Sequence, residues 1–153
     1  MATLITDKDY YNLMKDIDTA TLENTLVKEL TDRNMKISSA ESCTGGMISQ
    51  RITNVSGASN VFELGVCSYA NKIKNKVLGV SNETLNTVGA VSQETATQMC
   101  EGIKELSSSD IGVSTTGIAG PTGGTAQKPV GLVFIGIATK ESTTIYRAVP
   151  PVG

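Results

Sequence analysis

The segment Ser92-Gln-Glu-Thr-Ala-Thr-Gln-Met-Cys-Glu-Gly-Ile-Lys-Glu-Leu106, followed closely by Asp110-Ile-Gly-Val-Ser-Thr-Thr116, decides the fold. Ala96, Met99, Cys100, Ile103 and Leu106 recur at three- and four-residue steps, which lines one side of a helix. Ser92 stands where a side-chain oxygen can cap the first-turn amides. The stretch 110–116 then reads as a strand. Working outward, the same alternation continues. Toward the amino terminus the pattern predicts a short helix over 73–78, a β-prone strand over 61–70, a helix over 45–55 and a short strand over 35–40. Leu22, Leu26, Val27 and Leu30 make the apolar face of a further helix that Asn34 stops. Toward the carboxy terminus, 130–138 reads as a strong strand with 142–149 pairing beside it. Strands alternating with helices predict an α/β protein, a three-layer sandwich with a mixed sheet and helices on its faces.

The chain has 153 residues, a length that fits one domain and buries roughly 70% of its unfolded surface. Residues 1–20 are polar and read as a loosely held amino-terminal extension, and 21–153 read as the single domain. The pattern predicts no closing helix before the sequence ends at Pro150-Pro-Val-Gly153.

Composition narrows the chemistry. There is no His, so imidazole bases, Ser-His-Asp triads and His-ligated zinc are excluded. Any acid-base step must use Lys, Tyr, Cys, Asp, Glu or water. Three widely spaced cysteines without a CxxC suggest neither a disulfide framework nor a metal site. A net charge of −2 and 4% aromatic residues argue against nucleic-acid binding. No signal-peptide pattern and no membrane-length apolar run is found, so a cytoplasmic chain without membrane partners is expected.

Three segments can carry chemistry. Ala40-Glu-Ser-Cys-Thr-Gly-Gly46 falls between a strand and a helix, where free first-turn amides could serve a nucleophilic hydroxyl. The same residues also suit a plain capped helix start. Ser68-Tyr-Ala-Asn-Lys72 ends an apolar strand, and Tyr69 and Lys72 supply a phenol and an amine. Lys72, Lys74 and Lys76 equally resemble a solvated run. The third segment, 117–131, holds five of the 15 glycines and two of the four prolines. It is long for a simple connection and can form an amide nest or a turn-rich link.

Taken in order, Ala40-Glu-Ser-Cys-Thr-Gly-Gly46, Gly65-Val-Cys-Ser-Tyr-Ala-Asn-Lys72, Gly89-Ala-Val-Ser-Gln-Glu94, Thr116-Gly-Ile-Ala-Gly-Pro-Thr-Gly-Gly124 and Lys128-Pro-Val-Gly131 closely resemble the carboxy-terminal domain of the CinA family. The resemblance covers roughly residues 21–147. That family includes stand-alone nicotinamide-nucleotide amidohydrolases. The resemblance therefore implies hydrolysis of the carboxamide of nicotinamide mononucleotide to nicotinate mononucleotide and ammonia, in pyridine-nucleotide salvage. No cofactor and no metal are implied. The matched motifs put the nucleophile at Ser42 and the family's Tyr and Lys at Tyr69 and Lys72; a mechanism that fits has Lys72 take the Ser42 proton, directly or through Tyr69. Substrate contacts are expected from Glu41, Cys43, Thr44, Gly45, Gly46 and Asn71. The glycine-rich segment adds Thr116, Gly117, Gly120, Gly123, Gly124 and Lys128. Amides over 43–46 or in that segment would stabilise the oxyanion, and the helix start would hold the phosphate. Family members usually continue into a Gly-Asp-Arg-like stretch and a final helix, so this chain reads as truncated or divergent at its end. The expected partner is a small nucleotide substrate, and a homo-oligomer is anticipated. Two other readings stay open: an amidase for a different small amide, and a nucleotide-binding module without catalysis.

Overall fold

The computed structural model describes residues 2–149. In chain order the elements are β1 (Thr3–Ile5), α1 (Asp7–Met14), α2 (Leu22–Asp32), β2 (Ile37–Glu41), α3 (Met47–Thr53), a 3-10 turn (Ala58–Asn60), β3 (Phe62–Cys67), α4 (Asn71–Leu78), α5 (Asn82–Thr87), α6 (Gln93–Ser107), β4 (Ile111–Gly117), β5 (Val133–Ala138) and β6 (Thr143–Ala148). The six strands form one sheet in the order β1-β6-β5-β4-β2-β3. β3, β2 and β4 run parallel, β5 is antiparallel to both β4 and β6, and β1 is parallel to β6. The mixed sheet expected from the sequence is therefore present.

Helices cover both faces because each strand alternates its side chains. Ile37 of β2 joins Val27 and Leu30 of α2 and Ile52 of α3 in one apolar cluster, against which Ile111 and Val113 pack. Ala40, three residues on and therefore on the opposite face, joins Leu78 of α4 and Met99 and Ile103 of α6. α6 is the long helix of that second layer, and Ala96, Met99, Cys100 and Ile103 on it have no solvent exposure. Its predicted cap is made: the Ser92 hydroxyl accepts from the Thr95 amide at 3.1 Å. Leu106, counted above with the buried face, is exposed near the helix end.

Two segments go beyond the sequence reading. Residues 1–20, read as a loose extension, supply β1, which pairs with β6, and α1, which packs on the same strand. Arg147 of β6 donates twice to the Asp7 carboxylate, at 2.8 and 3.0 Å, and ties α1 in place. The short helix α5 was not anticipated. Its Ser81 accepts from the Thr84 amide as a cap.

The connections position the site. From β2 the chain crosses by α3 to β3 on one side, and from β3 it returns by α4, α5 and α6 to β4 on the other. The two crossovers lie on opposite faces. The carboxyl ends of β2 and β3 therefore flank a switch in winding direction, where α/β sheets open a crevice.

Candidate active site

Glu41 and Cys67 are register partners at the carboxyl ends of β2 and β3. Ser42 follows Glu41 directly. Its amide donates to the Thr115 carbonyl of β4 at 3.0 Å, and the Ser68 amide donates to the Glu41 carbonyl at 2.8 Å. The turn that carries Ser42 is thus pinned between its two neighbouring strands. Gly46, with φ of 110°, ends the turn in a left-handed conformation that favours glycine.

Lys74 meets Ser42. The Lys74 Nζ donates to Ser42 Oγ at 3.1 Å and to the carbonyl oxygens of Ser68 and Tyr69 at 2.8 Å each. Lys74 is only 1% exposed and Ser42 8%. Burial pushes the Lys74 amine below its ordinary value, and the neighbouring Cys43 and Cys67 thiols oppose that shift. Among the described residues no carboxylate forms an ion pair with it.

This geometry corrects the expectation for Lys72. Two residues turn an α-helix by about 200°. α4 buries Lys74 and Leu78, four apart, so Lys72 lies on the exposed side. No hydrogen bond joins the Lys72 amine to Ser42 among the described residues. The relay through Tyr69 is corrected as well. Tyr69 is 73% exposed, and the part of it that engages the site is its carbonyl. Asn71 is exposed at the start of α4. The helical step back from Leu78 was the sequence signal that distinguishes Lys74 from its lysine neighbours.

Glu41 is fully buried and points away from solvent. Its Oε1 accepts from the Thr44 hydroxyl at 2.6 Å, the Gly46 amide at 3.1 Å and the Ile48 amide at 3.0 Å. Its Oε2 accepts from the Ser49 amide at 3.1 Å and the Ser49 hydroxyl at 3.2 Å. Burial alone would raise its pKa, but these donors hold the carboxyl below its usual range. The start of α3, expected to hold a phosphate, is thus filled by a carboxylate of the chain itself. The Gly45 amide is engaged too, by the Ser42 carbonyl at 3.1 Å. Of the turn's amides, those of Cys43 and Thr44 have no acceptor among the described residues. They are the pair free to meet an oxyanion.

Cys43 is half-buried beside Ser42, and burial pushes its thiol up. The glycine-rich segment leaves the sheet from β4 at the same edge. Thr44 and Thr115 hydroxyls meet at 2.8 Å there, and the Thr116 hydroxyl donates to the Ala90 carbonyl at 2.6 Å. Gly117 ends β4. Gly120, Gly123 and Gly124 lie farther out in the loop and make no hydrogen bond with Ser42 or Lys74. Lys128 donates to the Val88 carbonyl at 2.6 Å, which ties the loop to the end of α5. No group of three or more potential metal-ligating side chains is assembled among the described residues.

A buried amine thus meets a hydroxyl at a winding switch of an α/β sheet, beside two amides without an acceptor among the described residues. The CinA C-terminal domain family matches residues 19–150. A competence/damage inducible protein, CihA, of Agrobacterium tumefaciens has a solved structure that superposes with a TM-score of 0.83 at 40% identity, covering 86% of this chain and 81% of that one. The competence damage-inducible protein A of Klebsiella pneumoniae superposes with a TM-score of 0.84 at 29% identity, covering 89% of this chain and 84% of that one. A putative competence-damage inducible protein of Caldicellulosiruptor saccharolyticus is 59% identical over 124 residues, which are 81% of this chain and 30% of that protein. The chain thus spans about a third of the length of the curated relatives it matches. It belongs to the CinA C-terminal domain family.

No helix among the described residues is long and apolar enough to cross a membrane.

Proposed function

We propose that this chain hydrolyses the carboxamide of nicotinamide mononucleotide, with Ser42 as nucleophile and Lys74 as base. The hydrogen bond between the Lys74 amine and the Ser42 hydroxyl carries this reading. The substrate comes from the resemblance of the motifs around that pair.

The chemistry follows from the geometry. Two carbonyls accept two N–H groups of Lys74. When the amine is neutral its third position is a lone pair directed at Ser42 Oγ, which then donates instead of accepting. Lys74 takes the hydroxyl proton as Oγ attacks the amide carbon. The oxyanion forms against the Cys43 and Thr44 amides. Lys74 returns the proton to the departing nitrogen, ammonia leaves, and an ester to Ser42 remains. Water, deprotonated by Lys74, attacks that ester and frees the carboxylate and Ser42. Water and amide go in, and carboxylate and ammonium come out.

The test is ammonia release from nicotinamide mononucleotide by the wild type and by Ser42→Ala. Release that Ser42→Ala abolishes in a folded protein supports the proposal. Release from other small amides in preference moves the substrate. Thermal stabilisation by the nucleotide without ammonia makes the chain a binding module.

A further inference from the structure

A carboxylate removed from water is costly unless its oxygens are fully bonded. The fold meets that requirement at Glu41 with five donors, all from residues 44–49. The first turn of α3 lacks an ordinary cap: Gly46 stands at its N-cap and offers no side chain. The charge comes instead from the last residue of β2, on the other side of the nucleophile. One side chain therefore clamps both ends of the four-residue turn 42–45. It also draws the Gly46, Ile48 and Ser49 amides inward.

We infer that Glu41 is a positioning residue: its carboxylate fixes the turn so that Ser42 Oγ faces the Lys74 amine while the Cys43 and Thr44 amides are left outward as the oxyanion site. The inference rests on the Ser42–Lys74 reading above. It does not depend on the identity of the amide. Among the described residues Glu41 makes no hydrogen bond or ion pair with Lys74, and it is closed to solvent, so it acts on turnover through the turn rather than through substrate. Thr44 shares the work, because its hydroxyl bonds both Glu41 and Thr115 of β4.

The test compares wild type, Glu41→Gln and Thr44→Val. Glutamine keeps the size but presents an amide group that repels the Ser49 donors. Thr44→Val removes one donor and no charge, and it remains informative where Glu41→Gln does not fold. Two readouts are taken with circular dichroism as a folding check. One is kcat and KM for ammonia release from nicotinamide mononucleotide. The other is the rate at which a fluorophosphonate phosphonylates Ser42, its Oγ displacing fluoride, which needs no amide substrate. A misplaced nucleophile and oxyanion site costs about 100-fold. Folded Glu41→Gln is expected to lose about that much in kcat and in labelling rate, with KM nearly unchanged, and Thr44→Val about tenfold. Wild-type kcat and labelling in either folded variant overturns the inference. So does a raised KM with kcat kept, which would make Glu41 a substrate contact. A wild type that labels but releases no ammonia defeats the proposed substrate only, and the labelling rates then decide on Glu41. A wild type that does neither defeats both.

Discussion

Lys74 Nζ stands 3.1 Å from Ser42 Oγ, yet the two residues reach each other from different strands' ends, one through α4 and the other through the turn after β2. The contact survives burial because the Ser68 and Tyr69 carbonyls take the remaining amine donors. Lys72, exposed on the opposite side of α4, has no part in it. Lys74→Met is therefore expected to lower amide hydrolysis at least about 1,000-fold, in the range for removal of a base that also protonates the leaving group. Lys72→Ala should stay within a few-fold of wild type. The reverse order, measured as ammonia release, would return the base to Lys72.

The sign of the pH dependence follows from the same burial. Only neutral Lys74 can accept the Ser42 proton. Desolvation disfavours the ammonium and places the amine below an ordinary lysine. Activity should therefore rise with pH and level off below the range in which free lysine titrates. The kcat/KM profile of the free enzyme reads this ionisation directly. An inflection at the ordinary lysine value, or a profile falling as pH rises through neutrality, contradicts a buried amine base.

Much of this was legible in the chain, for identifiable reasons. The α6 face was clear because Ala96, Met99, Cys100 and Ile103 keep helical spacing against a strand of small residues. Ser42 was singled out by the resemblance of its motif, because a Ser before paired glycines at a strand-to-helix turn suits a plain capped helix start as well. Lys74 was missed because three alternate lysines look alike until Leu78 fixes which side of α4 is inward. Glu41 was expected at the substrate. Its donors come from the first turn of the next helix, and that encounter exists only after folding. β1 was missed because it has three residues, too few for a periodic signal, and is held by pairing with β6, far along the chain.

The three cysteines should separate by reactivity. Cys67 is exposed at the end of β3. Cys43 is half-buried with its thiol pushed up by burial, and Cys100 is buried on the inner side of α6 with its thiol pushed up to about 12. Because the thiolate is the reacting form, iodoacetamide should modify Cys67 first, Cys43 slowly and Cys100 only on unfolding. Peptide mass spectrometry over time reads that order. Cys43 reacting fastest would instead mark it as an activated nucleophile and reopen the choice between thiol and hydroxyl.

Gly102 ties the site's helix to the core. It faces the carboxyl end of α4 from the middle of α6, and a Cβ placed there would lie 2.0 Å from the Leu78 carbonyl oxygen. That neighbour is backbone, so no side chain can rotate aside. Alanine would ordinarily favour a helix over glycine by up to about 1 kcal/mol. Here overlap must push α4 and α6 apart, a type of overpacking that costs about 1–3 kcal/mol, so the net effect of Gly102→Ala is destabilising. The same displacement moves Lys74, four residues before Leu78 on α4, away from Ser42. The variant should therefore lose kcat at temperatures where circular dichroism still shows it folded. Urea unfolding measures the first effect and ammonia release the second. Equal or greater stability in Gly102→Ala would show that α4 and α6 do not approach this closely in solution.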